Sequence, residues 1–282
     1  MDKSVWAHAS KAPGHPYGRA WTDAKNSFGY VRISKNGSSA AVSTLNLRST
    51  FQLAPGASAT VPLYAAIRDP ISRLMSSIPE TLKRATVDKS QFYGSVQVNG
   101  EIYHRIIRLD TISVEKFATG FLQIIQEYGP FDAHHESQYK FLFHLNGDPY
   151  GRINLFPLER MDIVLPLLGL RHQRKMVLPK RRNVRSTRIK HTNRPSREVT
   201  YPTDHPLSRW AGSGGKIQWN HLNNRLIEIY SDMLSSSAVI RAARHVAQSL
   251  YPQDFEIYNI VKSRTRPFSP FIGMDVVDDG IS

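Results

Sequence analysis

Residues 34–39 of the chain could bind a phosphate or sulfate group. They read SKNGSS, in which Lys35 provides a full positive charge, Gly37 lets the backbone approach a ligand closely and the serines provide hydroxyl donors. The loop is not a Walker A motif (GxxxxGK[ST]), because that motif has its lysine directly after the second glycine. The pattern indicates an anion-binding loop, with an ordinary turn between a strand and a helix as the alternative.

The residues on either side of this loop predict a strand before it and a helix after it. Residues 28–33 are mostly aromatic or β-branched, which is typical of a short buried strand. The apolar residues of 40–47 predict a helix that packs back onto this strand. Such an arrangement directs the backbone N–H groups of the loop and the first helical turn at one point, where the helix dipole favours negative charge.

A second strand and helix carry another group of polar residues. Residues 61–70 predict a buried strand that stops near Arg68, and the proline at its end can open a helix over 71–78 as its first residue. Arg73 and Ser76 are three positions apart and share one face of this helix. Because ligands of open α/β sheets bind at the carboxyl ends of the strands, we expect both loops at the same edge of a sheet.

The composition predicts a basic, globular protein of the cytoplasm. The chain has 282 residues, a formal net charge of +14 and no cysteine. The charge favours an anionic partner such as a nucleic acid, an anionic polysaccharide or a polyphosphorylated cofactor. The lack of cysteine excludes disulfides, cysteine-ligated zinc and a thiol nucleophile. No apolar run approaches the ~20 residues of a membrane span and no signal peptide is evident, so we expect no membrane partner.

Five short segments follow one another in an order that is more specific than any one of them. They are SKNGSS at 34–39, RDPISRLMS at 68–76, DAHHESQ at 132–138, INLFPLERMD at 153–162 and LYPQDFEIY at 250–258. Together they resemble the motifs of sulfotransferases that use PAPS (3′-phosphoadenosine 5′-phosphosulfate), most closely the chondroitin-type carbohydrate sulfotransferases (sulfotransferase family 2). The chain departs from the family pattern at Ser34, where the family has proline, and at His135, where it has tryptophan.

The resemblance implies an α/β protein with a P-loop-like three-layer fold, a mostly parallel central sheet and C-terminal helices. Residues 27–262 would form a single sulfotransferase-like domain, which contains a basic loop rich in proline, serine and glycine at 171–215. The Gly/Pro-rich segment 1–26 is expected to be loosely ordered, and residues 263–282 are expected to form a tail.

By the same resemblance, the protein would transfer the sulfuryl group of PAPS to a hydroxyl acceptor, a carbohydrate, by direct in-line transfer and without a metal. Lys35 would be catalytic and, with the loop amides, would hold the 5′-phosphosulfate, while Arg68 and Ser76 would hold the 3′-phosphate. The cofactor-binding residues would be Ser34, Lys35, Asn36, Gly37, Ser38, Ser39, Arg68, Ser76, Arg182 and Arg185.

The acceptor hydroxyl needs a base, and the resemblance implies that His134 is this catalytic base. Imidazole suits the role because its ordinary pKa is about 6.5, close to the working pH. From the residue types alone, a loop histidine such as His134 is more often an ordinary surface residue than a catalyst. The neighbouring His135, Asp132 and Glu136 are competing candidates for the proton acceptor.

Residues 171–197 are the most basic part of the chain, with eleven lysines and arginines and no acidic residue. They form either a solvated loop or an anion-binding segment, in which Arg181, Arg182 or Arg185 would reach the 3′-phosphate. The same charge suits a rival hypothesis, a non-enzymatic nucleic-acid-binding protein, although the segment lacks interleaved aromatic residues for stacking on bases. A kinase that uses ATP is a further rival, which the lack of a Walker lysine disfavours.

Overall fold

The computed structural model divides the chain into two compact units, each made of separate segments. The helical unit comprises Met1–Ala12, Ile71–Glu136 and Arg185–Leu250, and the sheet unit comprises Pro13–Pro70, Ser137–Val184 and Tyr251–Ser282. The protein is of the α/β class, since it contains both helices and a sheet with parallel strands. The structure describes residues 17–22, 27–53, 61–87, 101–102, 105–106, 108–109, 113–143, 149–172, 198–200, 216–263 and 269–271.

The described residues form strands and helices with the following bounds. The strands are β1 (Arg19–Thr22), β2 (Gly29–Val31), β3 (Ser49–Gln52), β4 (Leu63–Ile67), β5 (Ile153–Pro157), β6 (Glu198–Thr200), β7 (Lys216–Gln218) and β8 (Ser269–Phe271). The helices are α1 (Ser38–Thr44), α2 (Pro70–Val87), α3 (Val114–Tyr128), α4 (Tyr139–Leu142), α5 (Met161–Arg171), α6 (Trp219–Ser235), α7 (Ser237–Leu250) and α8 (Pro252–Ser263). A 3-10 turn, Leu158–Arg160, precedes α5.

A six-stranded sheet is the framework of the sheet unit. Within the described segments its strand order is β3-β1-β2-β4-β5-β8. The central strands β2, β4 and β5 run parallel, and Leu63 of β4 is paired with Gly29 on one side and with Ile153 on the other. This register aligns the carboxyl ends of β2 and β4 at one edge of the sheet, from which the two candidate loops leave.

The sheet is mixed, which differs from the mostly parallel sheet that the sequence predicted. Of the five pairings within this six-stranded sheet, β1 with β2, β1 with β3, and β5 with β8 are antiparallel. Antiparallel strands can be joined by a short connection, and β1 and β2 follow one another closely in the chain, whereas parallel strands need a long crossover. Strands of four residues such as β1 and β3 leave little periodicity in a sequence. β1 also lies inside residues 1–26, for which the sequence predicted loose order.

The core of the sheet unit combines side chains from the sheet and from helices α1 and α5. Aromatic side chains of the strand segments occupy its centre, and the rings of Phe28 and Tyr64 meet edge-on with centroids 6.1 Å apart. The buried cluster comprises Phe28, Tyr30, Ala41, Leu45, Leu47, Tyr64, Ala66, Phe156, Val164, Leu165 and Leu168. Because protein interiors are close-packed, α1 and α5 are held firmly beside the loop that precedes α1.

Helices α3, α6 and α7 form the main packed layer in the described part of the helical unit. Ser113 caps the start of α3 by accepting a hydrogen bond from the Lys116 N–H at 3.3 Å, and Gly129 ends the helix with a φ of 76°. The buried face of α3 comprises Phe117, Ala118, Phe121, Leu122, Ile124 and Ile125. Across the parts of the chain that the structure describes, no helix combines the length and the apolar character that a membrane span requires.

Leu168→Ala and Leu170→Ala remove the same atoms from one helix and should differ strongly in their effect on stability. Leu168 is fully buried, so its truncation leaves a cavity and should lower the free energy of unfolding by about 2–5 kcal/mol. Leu170 is 76% exposed, and its truncation should change the free energy of unfolding by less than about 0.5 kcal/mol. Urea unfolding followed by circular dichroism measures both values. Equal losses would contradict the packing of α5.

Candidate functional site

The loop between β2 and α1 is held in a strained backbone conformation. Lys35 and Gly37 both have a φ of 67°, in the left-handed region, and α1 begins after Gly37 without a side-chain cap. For Lys35 this conformation costs roughly 1–2 kcal/mol more than it would for glycine. Strain of this kind persists only where the surrounding structure imposes it, and it is common at binding sites.

The packing around Gly37 leaves little room for a side chain. A Cβ at this position would lie 2.8 Å from Met161 Cε and 2.9 Å from Leu158 Cδ1. The positive φ and this close approach together account for glycine here. The sequence predicts that a ligand makes the close approach to Gly37, and in the structure the side chains of Met161 and Leu158 make it.

Arg68 stands directly after β4, and its side chain reaches the loop that carries Lys35. The Nη1 of Arg68 donates a hydrogen bond to the Lys35 carbonyl at 3.1 Å. Because β2 and β4 are parallel neighbours, both residues lie beyond the carboxyl ends of adjacent strands, which confirms the prediction that the two loops share one edge. Two half-buried cations therefore lie at this edge, which favours a ligand with more than one negative charge.

The side-chain amide of Gln138 ties the Arg68 backbone to the Lys35 loop. Its Nε2 donates to the Arg68 carbonyl at 2.8 Å, and its Oε1 accepts from the Arg68 N–H at 2.9 Å. The same Oε1 accepts from Nδ2 of Asn36, which also donates to the Ala66 carbonyl at 2.7 Å. Asn36 and Gln138 are both buried, so these hydrogen bonds fix the loop relative to the end of β4.

Asp254, at the start of α8, holds Gln138 in place through its backbone. The Asp254 carboxylate accepts hydrogen bonds from the Ser137 hydroxyl at 2.6 Å, from the Gln138 N–H at 2.8 Å and from the Tyr139 N–H at 2.9 Å. Its side chain is buried, so these donors replace the water that a buried carboxylate loses. The carboxylate thereby joins the beginnings of α4 and α8 to the candidate site.

A further contact joins the turn after β5 to α8. The Tyr258 hydroxyl donates to Glu159 Oε1 at 3.0 Å. Burial raises the pKa of Tyr258 above its ordinary value, and the hydrogen bond to Glu159 raises it further. The hydroxyl therefore stays protonated at neutral pH and remains a hydrogen-bond donor.

These contacts bring residues from all five family-like segments together within the sheet unit. In chain order the residues are Lys35, Asn36, Arg68, Gln138, Glu159, Asp254 and Tyr258. The sequence motifs predict Asn36 and Arg68 as site residues but give no role to Gln138 or Asp254. Their position inside segments that resemble family motifs was the one signal that could have identified them.

Two other predicted site residues, Ser76 and His134, belong to the helical unit. Ser76 lies within α2 and is 5% exposed, and its hydroxyl donates to the Arg73 carbonyl at 2.8 Å. His134 lies in the turn after α3, where its Nδ1 is hydrogen-bonded to the Asp132 carboxylate. The structure thus gives each side chain a defined partner inside its own unit.

The remaining predicted cofactor-binding residues differ in exposure. Ser39 is exposed, Ser34 is half-buried and Ser38 is 5% exposed. Arg182 and Arg185 lie outside the described residues, as does most of the basic segment. The described part of the candidate site is therefore the loop at 34–39 together with Arg68 and the residues that hold them.

Comparisons of the chain with protein-family models, with curated proteins and with solved structures find no match. Among the side chains that the structure describes, no group of three or more histidine, aspartate and glutamate residues is arranged to bind a metal ion. A proposal of function therefore rests on the motifs in the sequence, on the family that they resemble and on the contacts between the residues that carry them.

Gln138→Glu should destabilise the protein because it replaces an amide donor with a second acceptor. The buried carboxylate cannot donate to the Arg68 carbonyl, so the free energy of unfolding should fall by about 1–3 kcal/mol. The matched control is Gln123→Glu, the same change at an exposed position of α3, which should stay within about 0.5 kcal/mol of the wild type. Urea unfolding measures both. If Gln138→Glu were as stable as the control, the bridging role of Gln138 would be refuted.

Lys35→Gly and Lys35→Ala remove the same ammonium group but differ in their tolerance of the left-handed backbone. Glycine adopts a φ of 67° without steric penalty, so Lys35→Gly should be more stable to unfolding than Lys35→Ala by about 1 kcal/mol. The larger entropy of glycine in the unfolded chain offsets part of this gain. The two variants are compared by urea unfolding. A Lys35→Ala protein of equal or greater stability would show that residue 35 does not hold this strain.

Proposed function

We propose that the protein is a PAPS-dependent sulfotransferase that transfers a sulfuryl group to a hydroxyl of a carbohydrate acceptor. The observation that carries this proposal is the 3.1 Å hydrogen bond from Arg68 to the Lys35 carbonyl. It joins the two segments that resemble the cofactor motifs of the family. PAPS is negatively charged at two separate positions, the 5′-phosphosulfate and the 3′-phosphate, so two cations at one edge of a sheet suit it.

The parallel strands at the centre of the sheet support a P-loop-like fold as part of this proposal. β2, β4 and β5 are parallel neighbours, and a short loop leads from β2 into α1. In folds of this kind, anionic ligands bind in the crevice at the carboxyl ends of the strands. The antiparallel strands β1, β3 and β8 would then be additions at the two sides of this parallel centre.

In the proposed complex, Lys35 and the backbone N–H groups of residues 36–39 bind the 5′-phosphosulfate. The side chain of Asn36 is engaged in the protein core with Ala66 and Gln138, so this residue would contribute its backbone N–H, which in the protein without ligand donates to the Ile33 carbonyl at 3.3 Å. Buried hydrogen bonds already fix the strained loop in the protein without ligand. The loop therefore loses little conformational entropy when the ligand binds.

Arg68 would bind the 3′-phosphate, with Ser76, Arg182 and Arg185 as further candidates. A guanidinium can donate two parallel hydrogen bonds to a phosphate, and one of the Arg68 nitrogens is already oriented by the Lys35 carbonyl. The Ser76 hydroxyl would have to turn away from the Arg73 carbonyl to donate to a phosphate. The main contact is therefore assigned to Arg68.

The proposed reaction is a direct in-line transfer. The acceptor oxygen forms a bond to sulfur while the bond between sulfur and the bridging phosphate oxygen breaks, and adenosine 3′,5′-bisphosphate (PAP) leaves. Lys35 would stabilise the negative charge that builds on the leaving oxygen, and His134 would take the proton of the acceptor hydroxyl. Catalysis of this kind depends on positioning and electrostatics.

PAP should stabilise the protein against heat if the proposal is correct. A ligand at about 100 times its Kd that binds only the folded state adds roughly 2.7 kcal/mol of stability. ADP lacks the 3′-phosphate and should raise the Tm less. Arg68→Ala should abolish the PAP effect, whereas Arg48→Ala, which removes an exposed arginine of the same unit, should preserve it. Differential scanning fluorimetry measures each Tm.

The same measurement separates the proposal from its rival. If PAP leaves the Tm unchanged and a random DNA duplex raises it in a salt-sensitive manner, the protein is a nucleic-acid-binding protein and the sulfotransferase proposal is wrong. In an active sulfotransferase, Lys35→Ala should lose nearly all turnover while remaining folded. A binding protein has no such requirement for Lys35.

A further inference from the structure

The turn after α3 carries four candidates for a proton acceptor, and the structure separates them by burial. The side chain of Asp132 is fully buried, whereas that of His134 is 14% exposed. His135 and Glu136 are 0% and 2% exposed. A base must be reached by the group whose proton it takes, so the exposure pattern selects His134 among the four.

Asp132 and His134 form a hydrogen-bonded pair that fixes both the backbone and the ring of the histidine. Asp132 Oδ1 accepts from the His134 N–H at 2.8 Å and is also hydrogen-bonded to Nδ1 of the same residue. An ionised carboxylate can only accept, so the proton of this second bond belongs to Nδ1. A neutral imidazole that is protonated at Nδ1 has its lone pair on Nε2.

The turn itself is anchored to α2 through the two residues that follow His134. Arg73 of α2 donates from Nη1 to the Glu136 carbonyl, and Nε2 of His135 is hydrogen-bonded to the Thr81 hydroxyl of the same helix. The ring of His135 also meets Phe131 edge-on, with centroids 4.6 Å apart. Because these groups are buried, the orientation of the turn is set by the fold before any ligand binds.

We propose that Asp132 is a positioning residue, which keeps His134 protonated at Nδ1. Nε2 is thereby the atom that takes the proton from the carbohydrate hydroxyl that receives the sulfuryl group. This inference rests on the proposed function for the identity of that acceptor, whereas the tautomer is a property of the pair alone. The proton leaves the acceptor oxygen as this oxygen bonds to sulfur, and it is bound by the Nε2 lone pair. Asp132 then faces an imidazolium, whose charge it stabilises.

Asp132 is not itself the base in this scheme. Its side chain is fully buried, and one of its oxygens already accepts from the backbone and the ring of His134. Taking a proton would remove the charge that orients the histidine. Its contribution to the rate therefore acts through His134.

Nuclear magnetic resonance of isotope-labelled histidine nitrogens tests the tautomer directly, at about pH 8.5, where an ordinary imidazole is neutral. We expect the wild-type protein to carry the His134 proton on Nδ1, with the resonance assigned by comparison with His134→Gln. Asp132→Asn removes the charge with little change of shape and should shift the equilibrium toward the Nε2-protonated form. Asp232→Asn, the same substitution at an exposed position of α6, should leave it unchanged.

Sulfuryl transfer from PAPS to desulfated chondroitin provides the second readout. Asp132→Asn should lower kcat by about 10²–10⁴-fold, which is the contribution of a general base. The KM for PAPS and the rise in Tm caused by PAP should be unchanged, because the cofactor site is intact. A residue with a merely structural role would alter stability or cofactor binding together with kcat.

Two results would overturn the inference: a wild-type His134 that is protonated at Nε2, or an Asp132→Asn variant with the wild-type tautomer and kcat. The first needs no variant, so it decides the matter even if Asp132→Asn does not fold. If PAP fails to bind the wild-type protein, the proposed function is wrong. The NMR measurement of the His134 tautomer still tests the pairing of Asp132 with His134 in that case. The two failures are therefore distinguishable.

Discussion

Gln138 places one buried amide group where the end of β4 meets the loop before α1, and the candidate site depends on this contact. β4 ends at Ile67, and the Gln138 amide pairs with the N–H and carbonyl of the next residue, Arg68, much as a neighbouring strand would. It also accepts from Asn36 in the loop. Each buried polar group left unsatisfied would cost roughly 1–3 kcal/mol, so a side chain with both a donor and an acceptor is required here.

The rigidity that follows from Gln138 allows the loop to hold a conformation that its residues do not favour. Lys35 adopts the left-handed region at a cost of roughly 1–2 kcal/mol, and Gly37 packs against Met161 and Leu158. These local costs are offset by burial in the core and by the network around Asp254. A loop with its cation already in place loses less entropy when it binds an anion, which is the usual benefit of such strain.

Neighbouring residues of the same type acquire different roles from their surroundings in the helical unit. His135 is fully buried beside Phe131 and bonds Thr81, so its ring is part of the core. His134, one position earlier, is partly exposed and paired with Asp132. Nothing in the side-chain chemistry separates the two histidines. Their difference comes from the direction in which an anchored turn points each side chain.

Local pattern by itself determined the two strand–loop–helix segments of the candidate site. The strand predicted over 61–70 is observed as β4. The prediction that Lys35 and Arg68 share one sheet edge followed from the rule that ligands of open α/β sheets bind at the carboxyl ends of the strands, and the parallel pairing of β2 with β4 agrees with it. The helix predicted over 71–78 instead continues through Pro79. Sequence indicated the start of this helix correctly but not its end, since the contacts that sustain a helix past a proline are tertiary.

Only the tertiary structure decided which residues hold the site together. Gln138 is separated from Asn36 by 102 positions and from Asp254 by 116, and residue types at such distances carry no periodicity that connects them. The pairing of the antiparallel strands β1 and β3 is likewise not predictable from the sequence. Each strand has only four residues, which is too few to specify a partner or a register by pattern. Sequence patterns show the local periodicity of apolar residues and the chemistry of each side chain. A hydrogen bond between residues far apart in the chain forms only when the fold brings the donor and the acceptor together.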